Sequence, residues 1–335
     1  VRTVRLRVPG KVMLAGEYTV LQGGHCLACT TEPYLEIQAT TQVGYELRST
    51  LWKTPQVFTA SALSRGGEPF SQAVAKAESL WQLGGALIEV RSQLDIQAGL
   101  GSSSALQGGV LMALSLLQTK IPSLSASDLI VAVTALQHAR QGAASGYDIF
   151  TQVHGGLLFM VPQTGEAESL PVDTTHFSRF FHLWGGGKGA PTTPTLLDTQ
   201  TWLNQEGRGK RLREQADSLL PRLKAFCLDP HACSDSSIWE ALGRYRDCLG
   251  GSPHFPQTIH RELSTLPGFD QTWSYKPTGA GGEDALWLLG TEAALSHPIA
   301  VLQQEGWYSL PGKTCVPGME RYDSERSTWC PLFAI

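Results

Sequence analysis

Apolar and basic residues alternate at the start of the chain. Val4, Leu6 and Val8 are separated by Arg5 and Arg7 in VRTVRLRVPGK, the period of two expected of a strand with one buried face. VMLAGEYTVLQGG then turns at Gly23-Gly24, and HCLACTT and YLEIQATTQ read as further strands. The period changes in PFSQAVAKAESLWQL, where Phe70, Val74, Ala77 and Leu80 share one side of a predicted helix. ALIEVRSQLDI returns to alternation through Ile88, Val90 and Leu94 and feeds the segment QAGLGSSSALQGGVLMALSLLQ. That segment predicts a glycine loop followed by a helix over Ser102–Gln118. A second helix follows in SASDLIVAVTALQHARQG, capped by Ser125 or Ser127. GGLLFMVP reads as a strand.

The texture changes around residues 170–180. FFHLWGGGKGAPTTPTLLD predicts a strand, a glycine-rich turn and a helix, and residues 200–270 are mostly helical, polar and aromatic. YKPTGAGGEDALWLLG predicts another glycine-rich turn and then a strand. Its 335 residues exceed the size at which a single core usually stops growing, so two domains are expected, 1–170 and 171–335.

Composition narrows the classes. A net charge of -4 without a block of like charges argues against a nucleic-acid-binding face. No apolar run reaches membrane-span length and the first residues lack a signal-peptide core, so a cytoplasmic protein with no membrane partner is expected. Cys26 and Cys29 spell C-x-x-C, but no second pair stands at zinc spacing and the surroundings are apolar, which favours buried thiols.

Chemistry concentrates in the glycine stretches. A strand, a glycine loop and a helix start form an anion site, because the first N–H groups of a helix are unpaired and its dipole favours negative charge there. GLGSSS lacks the lysine of a Walker A loop, and Ser104 stands where a dinucleotide fingerprint needs its third glycine. Gly108 and Gly109, inside the following helix, cost about 1 kcal/mol each relative to alanine and predict a close approach to another element. Elsewhere, Lys11 follows a Pro-Gly turn in VPGKVMLAGEYTVLQGG, Asp148 follows Ser145-Gly146 in GAASGYDIFTQVHGG, and KPTGAGGEDALWLLG supplies a third glycine loop.

In this order the three stretches resemble the motifs of the GHMP kinase superfamily. The resemblance implies an α+β, two-domain fold: a ribosomal protein S5 domain 2-like N-terminal domain and a ferredoxin-like C-terminal domain. The details are most similar to the phosphomevalonate kinase family, through AGEY, ALQHARQGAASGYDIF, LWGGGKGAPTTPTLLD and KPTGAGGEDALWLL. Gln137 stands where mevalonate kinases carry a magnesium-binding glutamate, and Asp284 where they commonly have glycine. Glu283 replaces a glycine of the third loop, and the proline that often precedes the second loop is absent.

The resemblance implies transfer of the γ-phosphoryl group of ATP, with magnesium, onto 5-phosphomevalonate in the mevalonate route to isoprenoids. Other acceptors on this scaffold are mevalonate or a sugar, and a non-catalytic metabolite sensor is the alternative of another class. It assigns Lys11 and Asp148 to catalysis and Gly99, Leu100, Gly101, Ser102, Ser103 and Ser104 to the nucleotide, with Ser103 also on magnesium. Glu17, Tyr18, Ser145, Gly146, Lys188, Thr192, Gly279, Ala280 and Gly281 fall to the acceptor, a phosphorylated acid. Lys276, Thr193 and Arg140 are further candidates for an anion, His138 and Trp184 are read as structural, and monomer and homodimer stay open.

Overall fold

The computed structural model describes residues 1–50, 56–58, 68–119, 121–189, 192–205, 207–229, 237–278 and 282–333. Two antiparallel-rich sheets organise it. The first holds β1 (Thr3–Ala15), β2 (Cys26–Thr41), β3 (Gly44–Ser49), β4 (Gln56–Phe58), β5 (Gly85–Ser92), β6 (Leu157–Val161) and β7 (Glu166–Leu170). The second consists of β8 (Phe181–Gly189), β9 (Trp273–Thr278), β10 (Gly282–Gly290) and β11 (Tyr308–Ser309). The helices are α1 (Pro69–Trp81), α2 (Ser102–Leu117), α3 (Ala126–Gln141), α4 (Tyr147–His154), α5 (Thr174–Phe180), α6 (Thr192–Leu203), α7 (Arg208–Leu228), α8 (Ser237–Gly250), α9 (Gln257–Ser264) and α10 (Glu292–Gln304). Among the described residues, no helix is long and apolar enough to cross a membrane.

The alternation read in the sequence sets the first sheet. Val4, Leu6 and Val8 of β1 and Leu35, Ile37 and Ala39 of β2 all point into one core. β2 is long enough to change partners: Cys26–Cys29 pairs with β6, whereas Leu35–Thr41 pairs with β5. Cys26 and Cys29, three apart on a strand, face different cores and are fully buried free thiols. Among the described residues there is no group of three metal-ligating side chains.

Helix α2 is buried nearly all round, which marks a central helix rather than a surface one. Its glycine pair lets it sit deep. A Cβ on Gly108 would overlap Ile149 of α4, and one on Gly109 would overlap Ile37 of β2 and lie 3.0 Å from Val8 of β1. The N-terminus of α2, and with it the glycine loop, is thereby fixed against both the sheet and α4.

Three sequence expectations change. Leu80, predicted on the apolar side of α1, is 42% exposed, because the buried positions of this helix end at Ala77. Gly185–Gly189, read as a turn, continues β8 along β10 through a register shift between Glu283 and Ala285, with Lys188 opposite Glu283. A Cβ on Gly186 would strike the Glu283 carbonyl and Trp307, so these glycines admit close strand packing. Residues 171–335 do not stay in one unit. β12 (Glu320–Asp323) and β13 (Thr328–Pro331) return to the first sheet, covering the free edge of β1 and pairing Arg7 with Glu320 at 2.5 Å.

Replacing Gly109 with valine should destabilise the protein by about 3 kcal/mol, the upper range for overpacking a filled core. Val131→Ala, on an exposed face of α3, should stay within about 0.5 kcal/mol. Urea midpoints measure both, and equal midpoints would refute the close-approach account of the glycine pair.

Candidate active site

Lys11 lies on β1 between two register shifts, at Pro9/Gly10 and Met13/Ala15, and only 4% of it is exposed. A buried ammonium must be compensated, and three groups from α4 and the glycine loop do so. Its Nζ pairs with Asp148 Oδ1 at 2.8 Å and donates to the Tyr147 hydroxyl at 2.6 Å and to the Gly99 carbonyl at 3.0 Å. Its backbone N–H donates to the Leu100 carbonyl at 3.0 Å. The lysine is thus bound to the glycine loop through both its main chain and its side chain.

The loop is shaped by that lysine. Gly99 and Gly101 have φ of 62° and 78°, in the left-handed region, and a Cβ on Gly101 would lie 2.8 Å from the Lys11 side chain. Gly101 caps α2 with no side-chain hydrogen bond, and the first bond of the helix runs from Ala105 N–H to the Gly101 carbonyl. The N–H groups of Ser102, Ser103 and Ser104 are therefore the unsatisfied donors of a helix start, a fit for phosphate oxygens. Ser104 turns inward: its Oγ donates to Gln152 Oε1 at 2.8 Å, and Gln152 Nε2 donates to the Gly101 and Pro9 carbonyls. Gln152, which the sequence reading did not single out, braces the turn.

Asp148 reaches Lys11 from the first turn of α4, where the helix dipole favours a carboxylate. Gly146 caps that helix at φ 78°, and Ser145 Oγ accepts from Tyr147 N–H at 3.5 Å. Burial, with Asp148 adding to it, holds the Tyr147 hydroxyl well above its ordinary pKa. The tyrosine is therefore a neutral partner to Lys11. It too was missed, although its sequence signal is plain: a tyrosine stands where the related motif has phenylalanine.

Glu17 and Tyr18 follow β1 across the cleft. Glu17 pairs with Lys276 of β9 and accepts from the Tyr245 hydroxyl of α8 at 3.0 Å, while Gly16 N–H donates to that same hydroxyl. Lys276 is fully buried; burial lowers its pKa and Glu17 opposes the shift. Thr278 Oγ1 donates to the Met13 carbonyl at 3.0 Å, so β9 is tied once to β1 and once to the segment that follows it. Tyr18 sits at φ 62° with its hydroxyl pushed up to about 12, chiefly by burial. Asp284, 3% exposed, lies against Gly99, where a Cβ would come within 3.1 Å of its carboxylate.

Lys188 is the next-to-last residue of β8 and Thr192 begins α6. Gly279, Ala280 and Gly281 lie outside the described residues. His138 is exposed on α3, and Trp184 is buried in the core of the second sheet. Arg140 donates from Nη2 to Ser103 Oγ at 2.7 Å. A magnesium ion on Ser103 would therefore meet a guanidinium, and position 137 on α3 offers an amide where an acid would help. This donor set does not fit a divalent cation held directly by Ser103.

Lys276→Met should cost about 3–5 kcal/mol by leaving Glu17 buried without its countercharge. Adding Glu17→Gln should recover at least about 1 kcal/mol of that loss, as expected for residues in contact. Chemical denaturation of the three variants closes the cycle; strict additivity would show that the pair does not couple the two sheets.

Residues 69–156 match the GHMP kinases N terminal domain family. Over 150 residues the chain is 28% identical to the mevalonate kinase of Archaeoglobus fulgidus, a stretch covering 44% of this chain and 49% of that protein. The chain thus matches about half the length of that relative. The fold extends further. A Lin0012 protein from Listeria innocua superposes with a TM-score of 0.77 at 16% identity, over 96% of this chain and 100% of that one. Streptococcus pneumoniae phosphomevalonate kinase, in complex with phosphomevalonate and AMPPNP, superposes at 0.71 and 16% identity, over 95% and 99%. The N-terminal domain match and the two-sheet architecture together give this protein the fold of the GHMP kinase superfamily.

Proposed function

We propose that this protein is an ATP-dependent small-molecule kinase that phosphorylates a hydroxyl group of an acid of the mevalonate type. The observation that carries the reading is the Lys11–Asp148 pair, 2.8 Å apart and bonded to the phosphate loop through Gly99. The N–H groups at the start of α2 hold the nucleotide phosphates. Lys11 neutralises charge on the transferring group, which is the main demand of phosphoryl transfer. Asp148 accepts the proton of the attacking hydroxyl.

Charge balance supports a hydroxyl acceptor. Among the described side chains, Lys11 is offset by Asp148 and Lys276 by Glu17. Asp284 lies beside Gly99. An acceptor that already carries a phosphate dianion needs cations beyond Lys11 and Lys276, whose charges are each offset by a carboxylate. The mevalonate kinase likeness supports the same acceptor class.

A phosphorylated acceptor, 5-phosphomevalonate, is the second reading. It is supported by the AGEY motif, by Gln137 in place of an acid and by the full-length likeness to the Streptococcus enzyme. It draws on Lys188 for the missing positive charge, and in it Asp148 orients Lys11 rather than taking a proton.

ADP release with ATP and magnesium, comparing mevalonate with 5-phosphomevalonate at matched concentrations, separates the two readings. Turnover with mevalonate is expected. Turnover only with the phosphorylated acid would establish the second reading, and no turnover with either, or with sugars, would favour a metabolite sensor. In the hydroxyl reading Asp148→Asn should lower kcat by about 10²–10⁴-fold while ATP affinity stays within about threefold. A loss under about tenfold would contradict a base at this position.

A further inference from the structure

One cation at the phosphate loop has no role in this account. Arg140 lies in the last turn of α3, a position where a basic residue normally extends to solvent and interacts with the helix dipole. Here it is half-buried, turned toward the first turn of α2, and bonded to Ser103. That places a guanidinium at the positive end of another helix, an electrostatic arrangement that is unfavourable without an anion between them. Among the described residues no carboxylate forms an ion pair with it, and its Nε is buried without a hydrogen-bond partner. Burial pushes its pKa down with no acid acting against the shift.

Gln137 explains why the arginine is free for this role. It is buried, one turn earlier on the same face of α3. A glutamate there would be placed to pair with Arg140 at i, i+3, and it would supply the acid that a metal on Ser103 lacks. The glutamine does neither.

We propose that Arg140 binds the phosphates of the nucleotide directly, positioned by Ser103, and supplies the positive charge that a protein-held metal would otherwise bring to this loop. The planar fork of five donors suits oxygen pairs of a polyphosphate and leaves donors available beyond the bond to Ser103. This rests on the kinase reading to the extent that ATP must bind at α2. It implies that ATP binds without a divalent ion and that Gln137 and Arg140 act as a pair.

Calorimetric titration of ATP into the full chain, once in EDTA and once in excess magnesium, tests it. The wild type is expected to bind in EDTA within about tenfold of its affinity in magnesium. Arg140→Gln should lose at least about tenfold in EDTA and clearly less in magnesium, with Arg140→Lys recovering part of the loss. Gln137→Glu should convert binding to magnesium dependence by capturing the guanidinium and adding a ligand. Unchanged EDTA affinity in Arg140→Gln would overturn the proposal. Equal losses in both buffers, with a lowered melting temperature and no recovery by lysine, would make Arg140 a structural brace and overturn it as well. No binding of ATP by the wild type in either buffer would instead remove the kinase reading on which it rests.

Discussion

A lysine ammonium inside the first sheet is the constraint around which the site is built. Lys11 is almost wholly buried, and isolated charge is too costly in such surroundings to be left uncompensated. Asp148 and Tyr147 from the first turn of α4 and the Gly99 carbonyl from the glycine loop satisfy it. The glycine loop takes its left-handed turns around that side chain, α4 is held with its first turn facing it, and α2 starts where the loop ends. The residues that would meet the transferring phosphoryl group are the ones that make the lysine's burial tolerable.

A second buried pair does for the two sheets what the first does for the loop. Glu17, two residues past β1, meets Lys276 of β9, and Tyr245 of α8 joins them. The two pairs lie near opposite ends of a short stretch of chain, Lys11 to Glu17, so the strand that carries Lys11 leads directly into the tie to the other half. Buried ion pairs are weak sources of net stability, since desolvation offsets much of their attraction. Their use here is geometric: they fix which surfaces face each other across the cleft. The same pairing leaves Lys11 and Lys276 each offset by a carboxylate.

Much of this could be read in the sequence where a local pattern has a single physical solution. The alternation of Val4, Leu6 and Val8 defined a buried strand face, and Gly108-Gly109 announced a close approach that is made to Ile149, Ile37 and Val8. The loop at Gly99–Ser104 was legible because glycines ahead of an apolar helix are hard to account for otherwise. What stayed hidden depends on contacts between distant residues. The return of residues 320–331 to β1 leaves no periodic trace in so short a hairpin. The bond between Arg140 and Ser103 joins positions 37 apart, and Gln152 and Tyr245 act through hydroxyl and amide contacts that no spacing rule predicts. Tyr147 differed from the related motif by one hydroxyl, and that hydroxyl is the atom that meets Lys11.

The central claim is that the Lys11–Asp148 centre moves a phosphoryl group onto a hydroxyl oxygen. Phosphorus-31 spectra of the product formed from ATP and an equimolar mixture of mevalonate and 5-phosphomevalonate test it directly, because a monoester and a diphosphate differ in phosphorus–phosphorus coupling. The account predicts that the uncoupled monoester resonance of 5-phosphomevalonate grows in step with ADP while mevalonate is consumed. A second coupled pair of diphosphate resonances beyond that of ADP, with the monoester resonance shrinking and mevalonate left unchanged, would contradict it.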